Sequence, residues 1–236
     1  MLLLCRVASG RCDPRQYRDP LFCPFVVYLT MATRKPKLLH FWRGDLPHWQ
    51  VEGGRYFVTI HLKDAIPQVA HQRIRELYEQ HKLAVDPDTQ HGDDDYLLWS
   101  RKLFLEMERW LDGNHSVIHF SHLDLCEMVV EAIQHRQRNK VWEMFSFAIM
   151  PSHIHLFFEL HRELSLKREL EEFKRWTGHQ ATKINSDLSA KRFWQSEWFD
   201  HWSRSDEEDE KIIRYIQNNP IKAGLAKHFG EYKYCK

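Results

Sequence analysis

The sequence has few of the residues that would divide it into separate modules. Its 236 residues include nine glycines and nine prolines, and no stretch is rich in Gly, Pro and Ser. We therefore expect no long linker between domains. Hydrophobic residues make up 43% of the chain, which is enough for one sizeable core. The composition predicts one domain with additional segments outside its core.

Cysteine pairs and long apolar runs are also scarce. The five cysteines form no CxxC pair and no spacing typical of a metal knuckle, which indicates a reducing, cytosolic setting. The apolar segments at 2–5 and 25–31 are too short for a signal peptide or a membrane span. We expect a soluble, cytosolic protein without a membrane partner.

The net charge is small, but the charges are unevenly distributed. The 34 Lys and Arg residues nearly balance the 33 Asp and Glu residues, which gives a formal charge of +1. Basic residues outnumber acidic ones between Arg34 and Lys63 and again between Arg162 and Arg192. Such segregation allows a basic groove on a neutral protein, so a nucleic-acid partner is neither required nor excluded.

Hydrophobic periodicity predicts a mixture of strands and helices. The predicted strands are 56–62, 142–150 and 153–160. The segment 117–120 is predicted as a short strand or extended link, and 193–199 as a strand or extended segment. The predicted helices are 65–83, 96–111, 124–137, 165–184 and 206–219. This order predicts an α+β fold, with a ferredoxin-like antiparallel sheet, helices mainly on one face, and a helical insertion after the first strand.

The same patterns suggest where the domain begins and ends. We expect an N-terminal extension and basic arm over 1–40 that is poorly ordered, with Met31 as the true start. The main domain is expected over 41–227, with its helical insertion at about 65–120, followed by a C-terminal tail over 228–236.

Two histidines lie one residue apart in the apolar run 148–158. In a strand, His153 and His155 share one face, while Ile154 and Leu156 point to the other. Two imidazoles about 7 Å apart along a strand can converge on one divalent ion if another element supplies a further group. The simpler interpretation is a pair of hydrogen-bonded strand histidines.

The last predicted helix contains a second pair of polar residues. Tyr215 and Asn219 are four residues apart, so a phenol and a carboxamide share one helix face about 6 Å apart. This spacing would suit a nucleophile beside a metal ligand. Without Asn219 four residues later, Tyr215 would be interpreted as a half-buried aromatic residue of the helix.

Together these motifs resemble the REP-associated tyrosine transposases, which are single-tyrosine HUH transposases. The resemblance rests on His153-Ile-His155 after Met150-Pro151, and on Tyr215-Ile-Gln-Asn-Asn-Pro-Ile-Lys-Ala-Gly-Leu225. The segments 47–61, 110–115 and 193–201 are also similar, so the resemblance covers roughly residues 40–226. Ser152 departs from the usual Asn or Asp.

The resemblance implies a chemistry and a partner. His153, His155 and Asn219 would hold Mg²⁺ or Mn²⁺, and Tyr215 would attack single-stranded DNA next to a hairpin (REP-like) repeat, leaving a 5′-phosphotyrosine and a free 3′-OH. The protein would act on the bacterial nucleoid as a monomer or a homodimer. One alternative is a regulator that binds hairpin DNA without cutting it, and another is a metallophosphodiesterase that uses water.

Two basic stretches are candidates for DNA contact, mostly to phosphate. Solvated surface charge is the ordinary alternative for both. His61, on the first predicted strand, is assigned a structural or DNA-contacting role and not metal ligation, and Trp194 and Trp198 are assigned to packing. The candidate DNA-binding residues are Arg34, Lys35, Lys37, Arg43, Lys167, Arg168, Lys174 and Arg175.

Overall fold

The computed structural model describes residues 34–44, 46–80, 93–113, 116–188 and 193–236. The expectations for Met31 and for the arm before residue 34 lie outside these residues. No helix in the described part of the chain is long and apolar enough to cross a membrane.

The described residues form six strands and five α-helices. The strands are β1 (Leu38–Arg43), β2 (Pro47–Val51), β3 (Arg55–His61), β4 (Trp142–Ile149), β5 (His153–Leu160) and β6 (Phe199–Trp202). The helices are α1 (Gln68–Gln80), α2 (Asp93–Gly113), α3 (Leu123–Arg138), α4 (Leu166–Ile184) and α5 (Asp206–Lys222).

The main sheet has the strand order β4-β5-β3-β6, and every neighbouring pair is antiparallel. With α3 and α4 as connections, this is the ferredoxin-like βαββαβ arrangement, so the predicted α+β fold class is confirmed. Helices α1 and α2 form the predicted insertion after β3. In the pairing of β3 with β5, Thr59 lies opposite His155, and His61 lies opposite His153.

The two faces of this sheet are covered by different helices, so the helices do not lie mainly on one face as the sequence predicted. On one face, Trp142 of β4 packs against Phe158 and against Phe173 of α4, with ring centroids 4.8 Å and 5.9 Å away. On the other face, Phe57 of β3 contacts Phe104 of α2 at 5.4 Å and Tyr215 of α5 at 5.8 Å. The histidine face of β5 therefore lies under α2 and α5.

Three elements differ from the predicted ones. Of the two alternatives for 193–199, the structure has a connecting segment in which Trp194 and Trp198 are buried as packing residues, and the final strand is Phe199–Trp202. The segment 117–120, predicted as a short strand or extended link, contains a 3-10 turn over His119–Ser121. Helix α5 continues through Pro220 to Lys222 and does not stop at Asn219. Near a helix end, a proline removes only one backbone hydrogen bond.

Two segments at the ends of the main domain have more structure than predicted. Strands β1 and β2 form a separate two-stranded sheet, and β1 crosses the expected domain boundary at residue 40. The segment expected to be a C-terminal tail pairs with β4. The Ile149 amide donates to the Tyr234 carbonyl at 2.9 Å, and Phe147 and Lys236 exchange two backbone bonds.

Candidate active site

His153 and His155 lie side by side beneath α2 and α5. Their Nε2 atoms are 3.1 Å apart, and both side chains are buried. Burial lowers the pKa of His153 to about 4 and lowers the pKa of His155 well below its usual value. Both imidazoles are therefore neutral at pH 7, which is the form that binds metal ions.

Helix α5 brings Tyr215 to the same place. Its ring meets His155 edge to face with centroids 5.6 Å apart, and part of the Tyr215 side chain remains accessible to solvent. Asn219 is buried one turn later, and its Nδ2 donates to the Tyr215 carbonyl at 3.2 Å. The structure thus gathers His153, His155 and Tyr215, with Asn219 next to the tyrosine on α5.

Glu108 of α2 is a site residue that sequence reasoning missed. Its Oε2 accepts a hydrogen bond from the Tyr215 hydroxyl, and its Oε1 is 3.8 Å from His155 Nε2. Oε1 is buried and has no hydrogen-bond partner among the described residues. Glu108 occupies the apolar stripe of α2 between Phe104 and Leu111, and a lone carboxylate in such a stripe is a signal that could have identified it.

These side chains have a composition and spacing that fit a divalent ion. The donor atoms of Glu108, His153 and His155 all lie within 4.8 Å of one another. Nitrogens in adjacent octahedral positions about 2.1 Å from an ion would be about 3.0 Å apart, close to the observed 3.1 Å between the two Nε2 atoms. Two imidazoles and a carboxylate suit Mn²⁺, Mg²⁺ or Zn²⁺. The unpartnered Glu108 oxygen is directed toward this cluster.

The site raises the pKa values of its two acidic groups. Burial and the neighbouring Asp112 raise the pKa of Glu108 to about 8. Desolvation and Glu108 together raise the pKa of Tyr215 well above its usual value, while a hydrogen bond with Asn219 acts in the opposite direction. The phenol is therefore protonated at neutral pH, and it needs a proton acceptor before it can act as a nucleophile.

His61 lies next to this cluster at the end of β3. Its ring is buried, its Nδ1 donates to the Leu62 carbonyl at 3.2 Å, and burial lowers its pKa to about 3. It is not among the residues whose donor atoms cluster within 4.8 Å.

The basic residues of the N-terminal region have different environments. Arg34 is bound to the start of α5 through Asp206 and Asp209, with 2.7 Å between its Nη2 and Asp209 Oδ2. Lys35, Lys37 and Arg43 are exposed, and the Arg43 guanidinium lies over the Phe41 ring. Three of the four residues therefore remain on the surface, while Arg34 is held by acidic residues of the protein.

The basic residues of α4 also divide into two groups. The side chains of Lys167, Arg168 and Arg175 are 51%, 74% and 78% exposed, although each lies within 4.0 Å of an acid on the same helix. Lys174 instead donates to the Ser196 carbonyl and lies 4.9 Å from the centre of the Trp198 ring. Burial lowers the pKa of Lys174 to about 8.

Comparison with known proteins gives a match to a family model and similarity to solved structures. The family model described as "Transposase IS200 like" matches residues 118–219, a segment that contains both histidines, Tyr215 and Asn219. A solved structure described as a REP-associated tyrosine transposase bound to a REP hairpin is similar at 16% identity and a TM-score of 0.46, covering 84% of this chain and 82% of that one. No curated protein matches. The family match confirms the resemblance to transposases that the two motifs predicted.

Proposed function

We propose that this chain, whose residues 118–219 match the IS200-like transposase family, nicks and rejoins single-stranded DNA beside hairpin repeats. One observation carries the proposal. The hydroxyl of Tyr215 is hydrogen-bonded to Glu108, whose other carboxylate oxygen faces His155 at 3.8 Å. A nucleophile and a set of metal-binding donors therefore belong to one cluster.

In this proposal the metal site consists of His153, His155 and Glu108, with the Asn219 side-chain oxygen as a further ligand from α5. The ion would be Mg²⁺ or Mn²⁺. When bound, a divalent cation would polarise the scissile phosphate and favour the ionised forms of the nearby acids.

The protein's own residues perform the proton transfer. As the Tyr215 oxygen bonds to phosphorus, its proton passes to the ionised form of Glu108, to which the hydroxyl is already hydrogen-bonded. The bond from phosphorus to the 3′ oxygen breaks, and that oxygen takes up a proton to become a free 3′-OH. The 5′-phosphotyrosine keeps the energy of the phosphodiester, so attack by a 3′-OH reverses the reaction and rejoins DNA.

The test of the nucleophile is a denaturing gel with Tyr215→Phe. Wild type and variant would be incubated with labelled single-stranded oligonucleotides that carry imperfect hairpin repeats of the host genome, together with Mg²⁺ or Mn²⁺. We expect a covalent protein–DNA band in the wild type and none in the variant. Tyr232→Phe is a matched control, because the Tyr232 hydroxyl donates to the Ile149 carbonyl on β4. The Tyr232→Phe protein should form the adduct as the wild type does.

The other outcomes distinguish the rival functions. A shift on a native gel without any adduct would indicate a hairpin-binding regulator that does not cut. Cleavage that survives Tyr215→Phe would indicate a phosphodiesterase with water as the nucleophile.

The test of the metal site is Glu108→Gln, which keeps the shape of the side chain but removes its charge. We expect Mn²⁺ affinity, measured by electron paramagnetic resonance, to fall by about tenfold or more, and adduct formation to be lost. Glu106→Gln is the control, because Glu106 is bonded to Trp110 Nε1 at 2.8 Å on the same helix. Unchanged Mn²⁺ binding by Glu108→Gln would exclude this carboxylate as a ligand.

A further inference from the structure

Each histidine of the candidate metal site has a buried hydroxyl on its far side. The Nδ1 atom of His155 is 2.9 Å from Thr59 Oγ1, and Nδ1 of His153 is 3.0 Å from Ser152 Oγ. Thr59 lies directly opposite His155 in the pairing of β3 with β5, and Ser152 immediately precedes β5. Neither hydroxyl touches the space between the two Nε2 atoms.

A neutral imidazole carries one proton, so its two nitrogens have opposite roles. A ring that donates from Nδ1 to a hydroxyl oxygen keeps a free lone pair on Nε2. A ring with its proton on Nε2 cannot bind a metal through that atom. The partner of Nδ1 therefore determines whether the ring can act as a ligand through Nε2.

The plane of the His155 ring is fixed separately. The ring stacks on Phe57 with centroids 5.5 Å apart and an interplanar angle of 23°, and Tyr215 meets it at 70°. These contacts are apolar and do not distinguish one ring nitrogen from the other. The polar neighbours do distinguish them, because Thr59 lies at Nδ1 whereas His153 and Glu108 lie at Nε2.

We infer that Thr59 and Ser152 are positioning residues that accept hydrogen bonds from Nδ1–H of His155 and His153 and thereby direct both Nε2 lone pairs at one cation. This inference rests on the metal site of the proposed function. It explains why a hydroxyl occupies position 59, between the fully buried Val58 and Ile60. A buried hydroxyl needs a partner, and His155 supplies it.

The decisive experiment compares Thr59→Val with Thr59→Ser at constant pH. Valine keeps the branched shape without the hydroxyl, whereas serine keeps the hydroxyl. We expect Thr59→Val to weaken Mn²⁺ binding by about 10- to 100-fold and Thr59→Ser to stay within about threefold of the wild type. Thr177→Val is the control, since Thr177 is also buried but bonds to Trp194 and Phe173, and its loss should leave Mn²⁺ affinity unchanged.

A second measurement reads the tautomer directly. In the metal-free protein the two Nε2 atoms share a proton across 3.1 Å, so ¹⁵N chemical shifts should show a larger fraction of His155 protonated on Nδ1 in the wild type and in Thr59→Ser than in Thr59→Val. A purely structural role for Thr59 would change the melting temperature but not this assignment.

The outcomes separate the inference from the proposed function. If the wild type binds no Mn²⁺, both the metal site and the role of the hydroxyls are wrong. If the wild type binds Mn²⁺ and Thr59→Val binds it equally well, only the inference is wrong. If Thr59→Val does not fold, Ser152→Ala makes the same comparison at His153, and unchanged affinity there overturns the inference.

Discussion

A buried imidazole, His48, joins the β1–β2 hairpin to the main sheet. Its Nδ1 is hydrogen-bonded to Asp200 of β6, and its Nε2 lies 3.2 Å from Glu197. Burial alone would lower the pKa of His48, but the two carboxylates outweigh burial and raise it to about 9. His48 is therefore protonated at neutral pH and forms an ion pair inside the protein.

This ion pair should make stability depend on pH. Because the pKa of His48 rises from about 6.5 in the unfolded chain to about 9 in the folded one, its contribution is complete below pH 6.5 and is lost as the pH rises through 9. The contribution is on the order of 3 kcal/mol. We expect urea unfolding to show a large loss of stability in His48→Gln at pH 6 and a much smaller loss at pH 9.5.

The comparison with His48→Gln is needed because Lys174 changes the stability of the protein with pH in the opposite direction. Burial lowers the pKa of Lys174 to about 8, so deprotonation of this lysine increases stability as the pH rises above 8. The difference between wild type and His48→Gln removes that shared contribution. A difference that stayed constant from pH 6 to pH 9.5 would contradict a charged His48.

Single residues could be predicted from the sequence only where a local motif identified them. His153, His155, Tyr215 and Asn219 lie in two short patterns that carry the resemblance. Glu108 belongs to a different helix far upstream, so only the packing of α2 against α5 places its carboxylate at the tyrosine hydroxyl. Its chemical role depends on tertiary contacts that local spacing does not specify.

At the scale of elements, helices were easier to predict than short strands. The apolar stripe of α4 predicted 165–184, and the helix is 166–184. Strand β6 was misplaced because it has four residues, and two of them, Asp200 and His201, are buried polar groups. Strand β1 was missed because Leu38 and Leu39 are exposed, which removes the alternation that predicts a half-buried strand.

Helix α4 offers a test of the predicted DNA surface. Because Arg168 and Arg175 are highly exposed, the double change to glutamine should remove two cations without disturbing the core. If both contact phosphate, affinity for hairpin DNA should fall, and the slope of log K against log salt should shrink by about 1.4 to 1.8. The measurement is fluorescence anisotropy over a salt series.

The control for the α4 variant removes two positive charges from a different place, the end of α3. Arg138 and Lys140 are exposed at the end of α3, and changing both to glutamine should leave the salt slope close to that of the wild type. Equal effects of the two double variants would mean that net charge matters and that α4 provides no specific surface.

At the scale of the whole molecule, the candidate site depends on three parts that meet over one sheet. Strand β5 contributes the histidines, the insertion helix α2 contributes Glu108, and α5 contributes Tyr215. The C-terminal segment connects one of these parts, α5, to strand β4 of the same sheet. Its backbone pairs with β4, and the Cys235 thiol donates to the Ile216 carbonyl at 3.8 Å. That carbonyl lies four residues before Pro220, which has no N–H to offer it.

Deleting residues 232–236 should therefore affect both the sheet and the tyrosine helix. The β4 backbone groups that now pair with Tyr234 and Lys236 would become an open edge, which favours pairing between chains. We expect the melting temperature to fall by about 5 °C or more, corresponding to about 2 kcal/mol, and light scattering to show association that increases with concentration. Lys233→Ala is the control, because it removes an exposed ion pair with Glu127 and a cation over the Tyr234 ring but no backbone pairing, and it should change neither result. A truncated protein that melts like the wild type and does not associate would show that the C-terminal segment supports neither β4 nor α5.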